Sequence, residues 1–437
     1  MTETAINDGA IAPPISGLSA VQQRALKKAA WRFLPILTLA YIFNYMDRTA
    51  IGFAALQMNH DLGLTNTDFG LAAGYFSLTY TLCEVPSNLA LHRLGARFWI
   101  ARIMITWGFV SAGMAFVQGP ESLNGMRLLL GVAEAGFFPG IAYFLSAWFP
   151  REYRARMLAL FLIGIPGSSL VGGPLCGALL QLDGLFGIAG WKWLFIMVSL
   201  PCVVMGFFVL RLLSDNPESA HWLTREEKDA FRVMLTTETH DRPKSSLLGA
   251  LLDIRVIILA LVQFGFTLGS YGITLWLPLI LKEFQLSNLT IGFLTFIPYL
   301  FATLGMLAWA DYADRTGKKI VNLAAACLLG ALGFGAYLYV GSLSLSLFCV
   351  TLALIGITAA RGVFWSIPPR ILTGVGAAGG IAFINTIGTA GGFAGPYMMG
   401  ALKDATGGFD AGIMAMAGIM IVTSLLAASL KLAVKHE

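Results

Sequence analysis

Five ionisable side chains sit inside runs of residues apolar enough to lie in lipid. They are Asp47 and Arg48 in TLAYIFNYMDRTAIGFAALQM, Arg127 and Glu134 in RLLLGVAEAGFFPG, and Arg361 in TAARGVFWSIPP. Each costs a few kcal/mol at membrane depth, which makes such residues functional candidates by default. Two chemistries suit these residue types. A carboxyl group whose arginine neighbour or access to water changes can take up and release a proton. An arginine keeps its charge and grips a carboxylate through two parallel hydrogen bonds. Asp47 and Glu134 are therefore candidate proton-coupling groups tuned by Arg127, and Arg48 is the candidate anion-binding group. The competing reading is an ion-pair network that only ties two membrane spans together, and buried pairs of that kind often add little net stability.

Spacing narrows the choice. Asp47 and Arg48 are adjacent, so on a helix they point about 100° apart and cannot face one neighbour. Tyr41, Tyr45 and Arg48 share a face at i, i+4 and i+7. That face is polar and aromatic, suited to a wet cavity and an anion, and Asp47 should then turn toward the fourth span. Arg127 and Glu134, seven apart, lie two turns along one stripe there. Arg361 and Trp365 are one turn apart on another span. Arg361 either supplies a second cation for a substrate with two negative groups or snorkels toward the headgroups. Tyr80 in the second span and Tyr271 and Trp276 in the seventh (SYGITLWLP) are further candidates to line a cavity. Glu84 lies nearer the cytoplasmic end of the second span, and Arg370 reads as an ordinary loop charge.

The elements that hold these residues follow from composition. The chain has 437 residues, 57% hydrophobic and only 12% charged, against about 25% charged in soluble domains. It is a polytopic membrane protein. Twelve apolar spans are expected, near 30–56, 69–91, 98–118, 123–147, 157–181, 191–213, 254–281, 288–310, 320–340, 345–369, 377–402 and 411–432. In lipid each must be a helix, because its backbone finds no other partners. Arg93 and Arg97 follow the second span, Arg151, Arg154 and Arg156 the fourth, and Arg315, Lys318 and Lys319 the eighth, whereas DLGLTNTD at 61–68 has no Lys or Arg. The bias puts both termini in the cytoplasm.

The net charge of +5 is explained by these loops, so nucleic acid is not an expected partner. The five cysteines are scattered through apolar segments and read as buried thiols. No metal spacing and no nucleophile–base pair is present, so neither an enzyme nor a metal or organic cofactor is expected. No cleavable signal is evident, since the first 20 residues are polar and contain Pro, Gly and Ser.

The chain also repeats itself. Gly95 in HRLGAR and Gly317 in DRTGKK stand 222 positions apart, and so do the Gly173–Pro174 and Gly395–Pro396 pairs. Two six-helix halves are expected, with the substrate site at the midplane between them. The expected divisions are a cytoplasmic tail (1–28), a first bundle (29–213), a cytoplasmic linker (214–250), a second bundle (251–432) and a short tail (433–437). The linker opens SDNPESAHWLTREEKDAF, with Thr224 as N-cap of a short amphipathic helix. The second half has no carboxylates at the equivalent positions: 222 residues on from Asp47 and Glu134 stand Gly269 and Gly356, so the architecture alone does not require acids there.

Over its whole length the sequence resembles major facilitator superfamily transporters, and within them the anion:cation symporter family. The residues that carry the resemblance are NYMDRTAIG, EVPSNLALHRLGAR, RLLLGVAEAGFFPG, SDNPESAHWLTREE, and FWSIPP followed by INTIGTAGGFAGPYMMG. One departure is His92, which stands where the superfamily usually has the loop Asp that the second half keeps as Asp314. The resemblance implies twelve transmembrane helices in two pseudo-symmetric bundles, with protonation at Asp47 and Glu134 and substrate contacts at Trp365 and Asn385. From the residues themselves, Arg48, Tyr45, Tyr80, Tyr271 and Arg361 join the candidate substrate site, and the loop residues Arg93, Arg97, Asp314, Arg315 and Lys318 are expected to gate the cytoplasmic side.

The expected function is proton-coupled uptake of a small organic carboxylate across a bacterial inner membrane by a monomer working through alternating access. Related sugar-acid carriers tend to have a larger polar side chain near Gly164–Ile165. Its absence points to a flatter acid, a phthalate- or tartrate-like dianion first and a sugar-acid or hydroxyphenylacetate-like monoanion second. An organic anion exchanger or efflux carrier is the other class left open.

Overall fold

A lipid-buried backbone must satisfy its own hydrogen bonds, and in the computed structural model the regular elements described are all helices. The structure describes residues 18–236, 253–368 and 374–433. Most of the expected N-terminal tail, the second part of the linker, Arg370 and the C-terminal tail lie outside these residues.

The first half comprises α1 (Ala20–Asp61), α2 (Asn66–Leu94), α3 (Ala96–Gly113), α4 (Pro120–Glu134), α5 (Phe137–Trp148), α6 (Arg151–Leu162), α7 (Gly164–Leu179) and α8 (Gly190–Leu212). After the linker helix α9 (Arg225–Thr236) come α10 (Ile254–Lys282), α11 (Asn288–Thr316), α12 (Lys319–Tyr337), α13 (Leu343–Phe364), α14 (Gly374–Thr389), α15 (Gly391–Thr406) and α16 (Asp410–Ala433). The fourth, fifth and eleventh spans are each broken into two helices, giving twelve crossings. By length and composition, nine of the described spans are apolar enough to cross a membrane. The first, second and eleventh are not among the nine.

Helix starts follow their local chemistry. Ser19 caps α1 in a box with Gln22, Thr65 caps α2 in a box with Asp68, and Ser287 accepts the Thr290 N–H at the start of α11. Gly95 and Gly317 each follow the second helix of their half. Four cysteines are buried and Cys83 is half buried.

The internal repeat appears as two matching seams between the bundles. Gly70 on α2 and Gly292 on α11 are 222 apart. A Cβ on Gly70 would come within 2.5 Å of the Pro396 carbonyl on α15, and one on Gly292 would collide with the Gly173 carbonyl on α7. Only glycine allows these backbones to approach so closely. Gly52 makes a third close pass, with its would-be Cβ 2.7 Å from the Leu275 carbonyl of α10. All these contacts lie toward the pole that carries the 62–65, 283–287 and 407–409 connections. There Asp404 on α15 accepts from both N–H and side-chain groups of Asn66 and Thr67 at the start of α2, at 2.6–3.2 Å. Trp276, expected to line a cavity, is instead fully buried in the seal. It donates to the Pro396 carbonyl at 3.2 Å and packs edge-on to Phe69. Toward the opposite pole, α5 and α6 pack on α1, α2, α3, α7 and each other.

The linker helix is tied to the first bundle. Thr224 caps it as expected, through bonds with Glu227 in both directions. Trp222 stacks on Trp148, with ring centroids 5.5 Å apart, and lies under the Arg32 guanidinium at 4.9 Å. Lys28 pairs with Glu227 at 2.9 Å.

Candidate functional site

The site is built where α4 stops. Glu134 is its last residue. Ala135 then leaves helical geometry and Gly136 adopts φ 88°, a left-handed conformation that a side chain would strain. The Ala135 carbonyl accepts from Ser87 Oγ at 2.6 Å, and that hydroxyl accepts from Trp99 Nε1 at 3.0 Å. The break is therefore braced by α2 and α3, and it leaves the Glu134 carboxylate fully buried at the negative end of a helix, where an anion needs outside support.

Support comes from α1. Glu134 Oε1 accepts from Asn44 Nδ2 at 2.7 Å and from Arg48 Nε at 2.6 Å, and forms an ion pair with Arg48 Nη2 at 2.5 Å. Glu134 Oε2 is buried with no hydrogen bond. The Arg48 guanidinium sits against three aromatic rings, with centroids at 4.7 Å for Tyr80, 5.3 Å for Phe76 and 5.4 Å for Tyr45. It keeps some exposure, while its partner Glu134 has none. Tyr41, expected on the same cavity face, turns into the bundle and stacks on Phe161 at 4.3 Å.

Two orientations differ from the expected ones. Asp47 does not turn to α4. Ser111 Oγ on α3 donates to its Oδ1 in a short bond, with Ser199 Oγ on α8 at 3.5 Å, and its Oδ2 is buried without a partner. The roughly 100° step from Arg48 carries Asp47 to the side where α1 packs on α8. Arg127 does not hold Glu134 by a hydrogen bond either. Its Nε donates to the Ala72 carbonyl at 3.1 Å and its Nη2 to the Ala73 carbonyl at 3.3 Å, with the guanidinium over Phe76 at 4.9 Å. The partner expected to be Arg127 is Arg48.

The second bundle supplies the other face. Arg361 Nη2 donates to Ser270 Oγ on α10 at 3.0 Å, which ties the half-buried side chain to a neighbouring helix of its own bundle. Tyr271 is half buried and lies against Gly392 on α15. Trp365 is exposed and packs edge-on to Phe364. Asn385 is half buried, and its Oδ1 accepts from Gln263 Nε2 at 3.2 Å.

The loop residues stay within their own bundles. Arg97 donates its backbone N–H to Asp215 and its Nε to the Leu210 carbonyl. Asp314 pairs with Lys319, and Arg315 with Asp311 at 2.9 Å. Arg93 and Lys318 are exposed.

Sequence reading missed Asn44, Ser111, Ser199 and Gln263. Asn44 carried a signal, since it stands one turn before Arg48 in the very stretch that attracted attention. The serines carried none, because small polar residues are common wherever membrane helices pack.

Residues 37–396 match the family model described as Major Facilitator Superfamily. A putative tartrate transporter of Agrobacterium vitis is 46% identical over 408 residues, covering 93% of this chain and 91% of that one. A quinolone resistance transporter of Acinetobacter baumannii is 38% identical over 409 residues, covering 93% and 94%. Among solved structures, a bacterial homologue of the human lysosomal transporter Spinster, in its inward-facing and occupied conformation, superposes with a TM-score of 0.73 at 16% identity, over 95% of this chain and 97% of that one.

Proposed function

This chain belongs to the major facilitator superfamily of membrane transporters, and is not an enzyme, and on that premise we propose that it imports a small organic carboxylate together with protons. The carrying observation is that one guanidinium, Arg48, is both caged by aromatic rings beside the seam between the bundles and occupied by a buried carboxylate. A cargo carboxylate competes with Glu134 for the same donors. Protonating Glu134 removes the competitor and frees Arg48, so proton and anion favour each other's binding. Asp47 is the second protonation site, cushioned by two hydroxyls rather than an arginine. Arg127 serves as a positioning residue that fixes α4 against α2.

The cargo is a dicarboxylate of tartrate-like size. The likeness to putative tartrate transporters supports this, and Arg361 offers a second cation on the other bundle. Tyr45, Tyr80, Tyr271, Trp365 and Asn385 complete the binding surface. The protein works as a monomer in a bacterial inner membrane with both termini cytoplasmic. In that orientation the sealed pole is the outer one. Arg93, Arg97, Asp314, Arg315 and Lys318 then belong to the inner gate in its released state.

The test is uptake of labelled mono- and dicarboxylates into proteoliposomes with and without an imposed proton gradient. Gradient-driven accumulation of a dicarboxylate is expected; accumulation indifferent to the gradient overturns the coupling. A second reading, efflux or exchange, is favoured by the quinolone resistance relative. Counterflow of preloaded substrate without any gradient separates the two.

A further inference from the structure

A further arginine lies within a membrane span, on α3, and takes no part in the site above. Arg102 stands six residues after Ala96, roughly 9 Å along the helix at 1.5 Å per residue, near the depth where headgroups give way to hydrocarbon. It shares a face with Phe98 and Phe109, at i−4 and i+7. Both phenylalanines are more than half exposed, so this face of α3 is turned to lipid. Arg102 itself is half buried.

Its guanidinium lies over the Trp99 ring at 4.4 Å. The ring is fixed, because its Nε1 donates to Ser87 on α2. Nη1 of Arg102 is covered by protein and has no hydrogen-bond partner, and among the described residues no carboxylate pairs with this side chain. Asp215, at the same pole, accepts from the Arg97 N–H instead. A full charge at that depth needs an anion or water. The Cα–Cβ bond tilts toward the start of α3 and so aims the side chain at the headgroup layer.

α8 runs antiparallel beside this stretch. A Cβ on Gly206 would come within 2.6 Å of Ile105 Cγ1, and Arg97 Nε donates to the Leu210 carbonyl at 2.6 Å. α8 presents Phe207 and Phe208, each more than half exposed. The two helices thus offer acyl chains an apolar, aromatic surface with one cation at its headgroup end. Arg93 and Arg97 are exposed at that pole and raise the local positive potential.

We propose that Arg102, held on Trp99, binds the phosphate of an anionic phospholipid in the leaflet at the pole opposite the seal, with the acyl chains along Phe98, Phe109 and α8. In the orientation given above this is the inner leaflet. A zwitterionic headgroup suits the site less well, because it brings its own cation and Arg102 has no carboxylate beside it to receive one. The inference needs neither the cargo nor the proton coupling of the preceding subsection, only that the chain spans a membrane.

The experiment titrates the full-length protein in detergent with phosphatidylglycerol or phosphatidylcholine of the same acyl chains. It reads the melting temperature and the lipid retained through size exclusion. Wild type should bind phosphatidylglycerol at least tenfold more tightly than phosphatidylcholine. Arg102→Leu should bring that ratio close to one, and Arg102→Lys should keep part of it. In phosphatidylcholine alone Arg102→Leu should melt no lower than wild type, since it removes a charge from a lipid-facing surface. Inorganic phosphate should raise the melting temperature of neither protein. Equal binding of the two lipids by wild type overturns the site, and a preference that survives in Arg102→Leu assigns it to the exposed loop arginines and does the same. An Arg102→Leu protein that melts lower or fails to fold in phosphatidylcholine makes the stack on Trp99 a structural tie and also overturns it. Stabilisation by inorganic phosphate alone rejects a lipid as the occupant.

Discussion

The Arg48 guanidinium meets Glu134 on one carboxylate oxygen, Oε1, by a hydrogen bond from Nε and an ion-pair contact from Nη2, while Oε2 stays buried and unpartnered. In the proposed cycle Oε2 is the oxygen left to take the proton, after which the cargo takes the donors that Glu134 releases.

Glu134→Gln should keep a hydrogen bond from Asn44 or Arg48 yet abolish the pH dependence of uptake, leaving downhill exchange intact. Arg48→Lys should lower kcat/KM by about 100-fold, on the order of 3 kcal/mol, since an ammonium cannot reproduce the planar two-donor grip. Proteoliposome uptake across a pH series measures both. A Glu134→Gln protein that still concentrates substrate with full pH dependence removes Glu134 from the cycle.

Arg361 is anchored to Ser270 and stands on the bundle opposite Arg48. Arg361→Ala should cost a dicarboxylate about tenfold or more in affinity and a monocarboxylate much less, as read by competition against one labelled substrate. Equal losses for both acids would make it a structural tie between α13 and α10.

Asp404 bonds two backbone and two side-chain groups at the start of α2, across the seam between the bundles. At roughly 0.5–1.5 kcal/mol net per bond, Asp404→Ala should shift the population toward a form open at this sealed pole by tenfold or more. Spin-label distances across the same pole would report it. Unchanged distances would show that the glycine seams alone hold that pole shut.

The linker helix should act as part of the first bundle. Trp222→Ala removes a ring stacked on Trp148 and should cost about 3 kcal/mol of stability, seen as a lower melting temperature in detergent. Burial alone would push the Glu227 carboxyl up, but the Thr224 backbone N–H and Lys28 outweigh it and hold it below the usual carboxylate range. A depressed carboxyl contributes stability that is full above its unfolded value and fades as pH falls through the folded one. Glu227→Gln should therefore lower the melting temperature at neutral pH and make no difference once the wild-type carboxyl is protonated.

The amino-acid sequence by itself determined that the chain is a membrane bundle, that its halves repeat at 222 residues, and which ionisable groups pay to be inside. Those properties are local: hydropathy, glycine and proline placement, and a charge in an apolar run are visible without neighbours. Only the tertiary structure decided who pairs with whom. Asp47 and Arg48 had to diverge, but whether Glu134 fell to Arg48 or Arg127 depended on which helix packs on α1 and on the turn that Gly136 allows where α4 ends. Neutral partners such as Asn44, Ser111, Ser199 and Gln263 differ from ordinary packing residues only by what stands opposite them. The sealed pole was equally beyond reach, because Gly70, Gly292 and Asp404 acquire their roles only when the other bundle arrives within hydrogen-bonding or van der Waals distance.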